Sequence, residues 1–343
     1  MKKYSISLLL LFLLVPLVCS AEIFVADYSN DAVYVFNNNG SGNVSPKRTI
    51  SGAQPNFDRP ESIFVDVVNN EIFVADYGNN EVKVFGINAN GNEIPLRTIT
   101  GLSSPSEVFV DTTNNELFVS NYGGNSITVY NRTDFGNAPP IRTISGGLTG
   151  LNVPYKLFVD TINNQLFVGN YNNESITVYN RTDDGNAPPL RTLIGGSTGL
   201  DYIGGIFVDT TNNELFVSNY DGDSITVYNR IDFGDAPPIR TISGGTSGVN
   251  GPGGLQVNLI ANELIIANYS DGNILVFSRT ANGGVSPLRT ISGSATDLNG
   301  PWGLYQTQQQ DIPTMTEWGM IIFTSLAGLG SVYYLRRQKR ILS

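Results

Sequence analysis

The side chains able to do chemistry in this chain are carboxylates, amides, hydroxyls, tyrosines, lysines and arginines. The sequence has no histidine and a single cysteine, Cys19. That removes His-based acid–base catalysis, Ser-His-Asp and Cys-His nucleophiles, and ordinary zinc sites. Two series of oxygen-bearing side chains recur along the chain. Asp27, Asp76, Asn121, Asn170, Asn219 and Asn268 each precede a tyrosine, while Asp66, Asp111, Asp160 and Asp209 each follow a valine. Asp and Asn cap turns by accepting hydrogen bonds from nearby backbone, and such a role repeats wherever the turn repeats. Both series are therefore assigned to structure. Asp221-Gly222-Asp223 is the nearest approach to a calcium loop, but it lacks the further oxygen ligands at spaced positions. Calcium is the one metal these residues leave open; no metal site and no cofactor is assigned.

The elements that must position these groups are strands. Hydrophobic residues make up 41% of the chain, enough for a large core, and charged residues only 15%. Gly, Asn, Thr and Tyr are abundant, a mix that favours strands and tight turns over surface helices. Residues 116–122, Glu-Leu-Phe-Val-Ser-Asn-Tyr, return at 165–171, 214–220 and 263–269, with earlier copies at 22–28 and 71–77. The closing tyrosines stand at 28, 77, 122, 171, 220 and 269, so the spacings are 49, 45, 49, 49 and 49. An Arg-Thr pair keeps the same step at Arg48, Arg97, Arg142, Arg191, Arg240 and Arg289. Two independent markers with one shared irregularity indicate six copies of one unit, with four residues missing between Arg97 and Val108.

Each unit contains four strand-like runs; in the third copy they cover 108–111, 116–121, 126–131 and 141–145, separated by Asn-Asn, Gly and Pro-Pro turns. Four short strands per repeat of about fifty residues describe a propeller blade. The array starts in a second-type strand at Glu22 and ends in an orphan first strand at 301–305. The orphan is expected to complete the opening blade, closing the ring and removing exposed sheet edges. The expected fold is all-β, a six-bladed β-propeller over residues 22–307.

The blades resemble the NHL repeat family and its six-bladed relatives. The matching signature is Pro-x-Gly-hydrophobic, then Val-Asp, then Phe-Val-x-Asp/Asn-Tyr and an Asn-rich turn. Pro252-Gly253-Gly254-Leu255 and Pro301-Trp302-Gly303-Leu304 match the opening, whereas Glu107 and Lys156 replace the glycine and Ile203 the proline. The resemblance implies a fold more than a function.

In such a ring the residues before each inner strand border the mouth of the central channel. Aligned on Phe64, Phe109, Phe158, Phe207, Gln256 and Tyr305, the position three earlier reads Glu61, Ser106, Tyr155, Gly204, Gly253 and Trp302. The next position reads Ser62, Glu107, Lys156, Gly205, Gly254 and Gly303. These positions differ between copies while the strands barely change. An asymmetric ligand needs an asymmetric rim, so Glu61, Glu107, Tyr155, Lys156 and Trp302 are the candidate ligand-binding residues; no catalytic residue is assigned.

The two ends read as targeting segments. Residues 1–21 have a basic start at Lys2 and Lys3, an apolar run over 8–18 and small residues at Ser20 and Ala21, the pattern of a signal peptide. After a linker at 308–311, residues 312–343 carry Ile312-Pro313-Thr314, then Trp318-Gly319, an apolar stretch over 320–335 and the basic cluster Arg336-Arg337-Gln338-Lys339-Arg340. This order resembles the IPTL-CTERM sorting signal, a relative of the PEP-CTERM signals of Gram-negative bacteria, with Met315 where the family usually has Leu. The resemblance implies Ile312, Pro313, Thr314, Trp318 and Gly319 as the sorting motif and a transient membrane anchor through a C-terminal transmembrane helix. It also implies an exosortase-type processing enzyme as partner, and an inner-membrane intermediate that ends at the cell surface or outside the cell.

The body between the ends holds 14 basic residues against 28 acidic ones, a poor match for nucleic acid. The leading expectation is an exported, non-enzymatic module that binds an extracellular protein or glycan. Two readings stand beside it. One is a lactonase-like or gluconolactonase-like hydrolase with a carboxylate-bound Ca²⁺ in the channel, implied by six-bladed relatives of this fold. The other is a structural component of an extracellular matrix.

Overall fold

The computed structural model describes residues 21–307 as a ring of six four-stranded antiparallel sheets. The unit at 105–144 is typical: Pro105–Asp111 is innermost, followed outward by Glu116–Asn121, Ser126–Asn131 and Arg142–Ile144. Val, Ile, Phe and Tyr dominate these runs because β-branched and aromatic side chains pack well on a pleated surface. The inner strands begin three residues earlier than the sequence reading placed them, at Pro105 rather than Val108.

Blade 1 is closed as expected. Pro301–Gln306 pairs antiparallel with Glu22–Asp27 and becomes its inner strand. Thr307 locks the joint: its N–H donates to the Glu22 carbonyl (2.9 Å) and its hydroxyl accepts the Glu22 N–H (2.8 Å). The outer edges are covered too. Each outer strand forms a parallel bridge to a glycine of the next blade, from Ile50–Gly91 round to Ile291–Gly42. Paired edges leave no template for intermolecular strand addition.

The core lies between the blades. Six buried clusters each join two neighbours; one packs Phe73, Val82, Val84 and Ile99 of blade 2 against Val108, Leu117 and Val119 of blade 3. Each such side chain contributes roughly 1.5–3 kcal/mol when removed from water. The four missing residues fall where the spacing placed them, between Ile99 and Pro105, whereas the loop from Ile144 to Pro154 is four residues longer.

Two regular constructions lock the ring. Asp76, Asn121, Asn170, Asn219 and Asn268 each accept an N–H from the loop entering their own inner strand, as in Asp58 N–H to Asp76 (2.7 Å). Asp66, Asp111, Asp160 and Asp209 cap the turns that follow them. The structural assignment of both series therefore holds. At that same end, Glu71, Glu116 and Glu214 are each gripped by two arginines. Glu214 receives Arg240 of its own blade at 2.7 Å and Arg279 of the next at 2.5 Å. Arg132 on Glu71 and Arg181 on Glu116 repeat the inter-blade contact.

Residues 1–20 of the signal segment expected at 1–21, and the expected tail at 312–343 with Ile312, Pro313, Thr314, Trp318 and Gly319, lie outside the described residues. Among the described residues no helix is long and apolar enough to cross a membrane.

Candidate functional site

One irregularity in each blade shapes the channel mouth. Every inner strand carries a bulge near its start, where the register slips against the second strand. The extra residue is Glu61, Ser106, Tyr155, Gly204 or Trp302 in five blades; in blade 6 the slip spans Gly253 and Gly254. A bulge bends the strand and re-aims the unpaired residue. Hence one of the two positions that vary between copies sits where the ladder places no pairing constraint, while the next, that of Glu107 and Lys156, is paired with the second strand.

The five candidate residues do come together, but in the throat of the channel and not on an open rim. Glu61, Tyr155, Lys156 and Trp302 are all buried, and Glu107 is 20% exposed where it lines the channel cavity. Tyr155 and Trp302 cross the mouth with ring centroids 6.1 Å apart. Beneath them Lys156 Nζ lies 3.1 Å from Glu107 Oε2, and 4.9 and 5.7 Å from the Tyr155 and Trp302 ring centroids. Ser62 donates its hydroxyl to the other oxygen of Glu107. Blades 5, 6 and 1 contribute glycines at this level because their backbones nearly touch. A Cβ on Gly303 would stand 2.8 Å from the Glu61 carbonyl oxygen. The channel is thus filled from one side only.

Below this layer a cavity of about 220 Å³ separates Glu107 from the ring of Phe64, Phe109, Phe158, Phe207 and Tyr305. Neighbouring rings there meet at 4.8–5.2 Å. Above it the closing tyrosines form a wall. Tyr77, Tyr122 and Tyr171 stand about 6 Å apart; Tyr202 fits between Tyr171 and Tyr220 at 4.3 and 5.0 Å; Tyr269 links Tyr220 to Tyr28. Centroid spacings of this size suit edge-to-face aromatic packing. At the remaining gap Arg59 places its guanidinium 5.1 Å over the Tyr77 ring, beside Tyr28, and donates to Asp58 at 3.1 Å.

Wall and throat together enclose a half-open cup of about 150 Å³ lined by Tyr28, Tyr155, Tyr202, Tyr220, Tyr269, Trp302 and Glu61. Glu61 is its one carboxylate. The Tyr155 hydroxyl faces it, yet among the described residues its Oε2 has no hydrogen-bond partner, and neither has Trp302 Nε1. Burial outweighs the pull of Lys156 and of the Tyr155 hydroxyl, and pushes the Glu61 carboxyl up to about 8. Burial also raises Glu107, Tyr155 and Tyr202 above their ordinary ranges. A buried acid pushed up to about 8 and lining a cup of π faces is a candidate functional group.

Sequence reasoning missed the tyrosine wall. The tyrosines served as markers of the repeat, and symmetric repetition was read as purely structural. The usable signal was that a residue recurring at the mouth end of six second strands must converge on the axis. The inter-blade clamps, Arg132, Arg181 and Arg279, carry no such signal.

The residues do not fit the calcium readings. The Lys156 ammonium already occupies the cation position beside Glu107, and among the described residues no three carboxylates converge. Asp223 is a blade-to-blade cap, accepting the Gly251 N–H at 2.7 Å just as Asp31 accepts that of Arg59.

The chain matches the model of the NHL repeat over residues 57–85. No curated protein matches it. Among solved structures it is similar to a chain of "Crystal structure of Nidogen/Laminin Complex", at 13% identity and a TM-score of 0.61, covering 85% of this chain and 100% of that one. It is also similar to a functionally unknown protein from Desulfotomaculum acetoxidans DSM 771, at 10% identity and a TM-score of 0.57, covering 84% and 99%. The likeness is one of fold, that of an NHL-like six-bladed propeller.

Proposed function

We propose that this NHL-like propeller is an exported, surface-sorted binding module, and that its binding site is the tyrosine-walled cup at the channel mouth. The observation that carries the reading is the cup itself. Aromatic side chains from several blades surround a buried carboxylate with a free oxygen, while the rest of the ring is occupied with its own construction. Concave aromatic sites with a few placed polar groups are what small ligands and exposed protein or glycan groups occupy. A chain of this fold in a nidogen/laminin complex is an instance of a propeller within a protein–protein assembly. The acidic body argues against nucleic acid as a partner. Export, transient anchoring and processing by an exosortase-type enzyme rest on the residue order at the two ends.

Hydrolysis with a channel-bound Ca²⁺ is the weaker reading, because Lys156 neutralises the carboxylate that would have to hold the ion. A purely structural matrix role leaves the variation at the bulge positions without a cause.

The test is a screen of the purified protein against glycan and peptide arrays beside its Tyr220→Ala variant. Tyr220 is half-buried in the wall, so its loss opens the cup without emptying a core cluster. Hits that disappear in the variant support the reading; hits that persist unchanged place recognition elsewhere.

A further inference from the structure

We infer that the cup recognises a cationic group, an alkylated or primary ammonium of a ligand or of a partner's side chain, with Glu61 as its counter-ion. The inference rests on the reading of the cup as a binding site and specifies its ligand class.

Charge count comes first. Two carboxylates, Glu61 and Glu107, share the throat with one ammonium, that of Lys156. Glu107 takes it at 3.1 Å and Glu61 is left with an unpartnered oxygen. Buried charges are paired or neutralised. A second cation entering from the cup would complete the set; Arg59, the other cation facing Glu61, stands in the wall over Tyr77 and is paired with Asp58 at 3.1 Å.

The walls point the same way. Tyr and Trp faces attract ammonium and guanidinium groups, and aromatic cages are the established means of holding quaternary ammonium. Rings of this mouth already hold cations of the protein itself: Lys156 lies against Tyr155 and Trp302, and Arg59 over Tyr77. The cup faces are those of Tyr28, Tyr202, Tyr220, Tyr269 and Trp302, with a volume of about 150 Å³ that suits one substituted ammonium.

Binding should be linked to a proton. The groups facing Glu61 are Lys156, Tyr155, Glu107, Arg59, Tyr77, Tyr122 and Tyr202. In the empty cup burial keeps Glu61 protonated up to about pH 8, so a cation must displace that proton. Affinity therefore rises with pH to about 8 and then levels, changing about tenfold per pH unit below it.

The experiment is calorimetry on the full-length protein with choline and with 3,3-dimethylbutan-1-ol, its uncharged isostere, at pH 6, 7 and 8.5. Choline should bind at least tenfold tighter than the alcohol at pH 8.5 and weaken steeply toward pH 6. Glu61→Gln, with its folding checked by thermal melting, should cost choline at least tenfold, flatten its pH dependence and leave the alcohol unchanged. Equal binding of the two probes, or choline binding indifferent to Glu61→Gln, overturns the inference. Array hits that are uncharged, yet lost in Tyr220→Ala, would overturn it too while leaving the cup as the binding site. Absence of choline binding together with array hits indifferent to Tyr220→Ala would overturn both.

Discussion

The two ends of the ring are built from the same repeats and treat them differently. At the arginine end a Glu or Gln of each second strand holds an Arg of the outer strand 26 residues later, from Glu22–Arg48 to Glu263–Arg289. Blade 4 shows how little that end depends on charge: Gln165 stands where its neighbours have Glu, and still bonds Arg191 and Arg230. At the mouth end the tyrosines repeat, but the bulge residues within them do not. Repetition supplies a wall and variation supplies a floor. The arginine end is construction, and the mouth end is where binding is proposed.

The largest effect should come from opening the ring. Deleting residues 301–307 strips the inner strand from blade 1 and bares the edge of Glu22–Asp27. The expected product is aggregated or unfolded, read by size-exclusion chromatography and circular dichroism. A soluble monomer with a native spectrum would break the closure account. Next is the clamp. Glu214→Ala takes the carboxylate from Arg240 and leaves Arg279 only its longer contact to Asp209 (3.5 Å), at a site only 11–18% exposed, and should cost about 3 kcal/mol in urea unfolding. Glu214→Gln imitates blade 4 and should cost about 1 kcal/mol. Equal losses would mean that charge and not geometry holds that end.

The pH response sharpens the mouth side. Glu61 is protonated in the folded protein and ionised in the unfolded chain between its ordinary 4.5 and about 8. Its contribution is therefore fully present below pH 4.5 and is lost as pH rises through 8. Relative to Glu61→Gln, the wild type should lose about 2 kcal/mol between pH 6 and pH 8. Parallel pH profiles would show that Glu61 is hydrated and not buried. The smallest effect is at Asp221-Gly222-Asp223, the nearest approach to a calcium loop. Asp223→Ala should cost about 1 kcal/mol through one lost backbone cap, and added calcium should not shift the melting temperature of the wild type.

Much of this fold was legible because two markers, the Tyr and the Arg-Thr pair, carried the same period and the same four-residue gap. Closure was legible because the first repeat lacks an inner strand and a lone inner-type strand follows the last repeat. The candidate residues were found by variation, and all five do meet in the throat. Their burial was not legible, since a bulge at Glu61, Tyr155 or Trp302 depends on register against the second strand and leaves no local sequence mark. The arginine clamps escaped for a related reason. Arg279 reaches a Glu 65 residues earlier, a contact that exists only once the blades stand side by side.

The most direct measurement sets one variant from each end beside the other: Tyr220→Ala and Glu214→Ala, each assayed for array-ligand affinity and for unfolding free energy. The account predicts that Tyr220→Ala loses at least tenfold in affinity with stability within about 1 kcal/mol of wild type. It predicts that Glu214→Ala loses stability while its folded fraction binds as before. Affinity lost at Glu214 and kept at Tyr220 would contradict it.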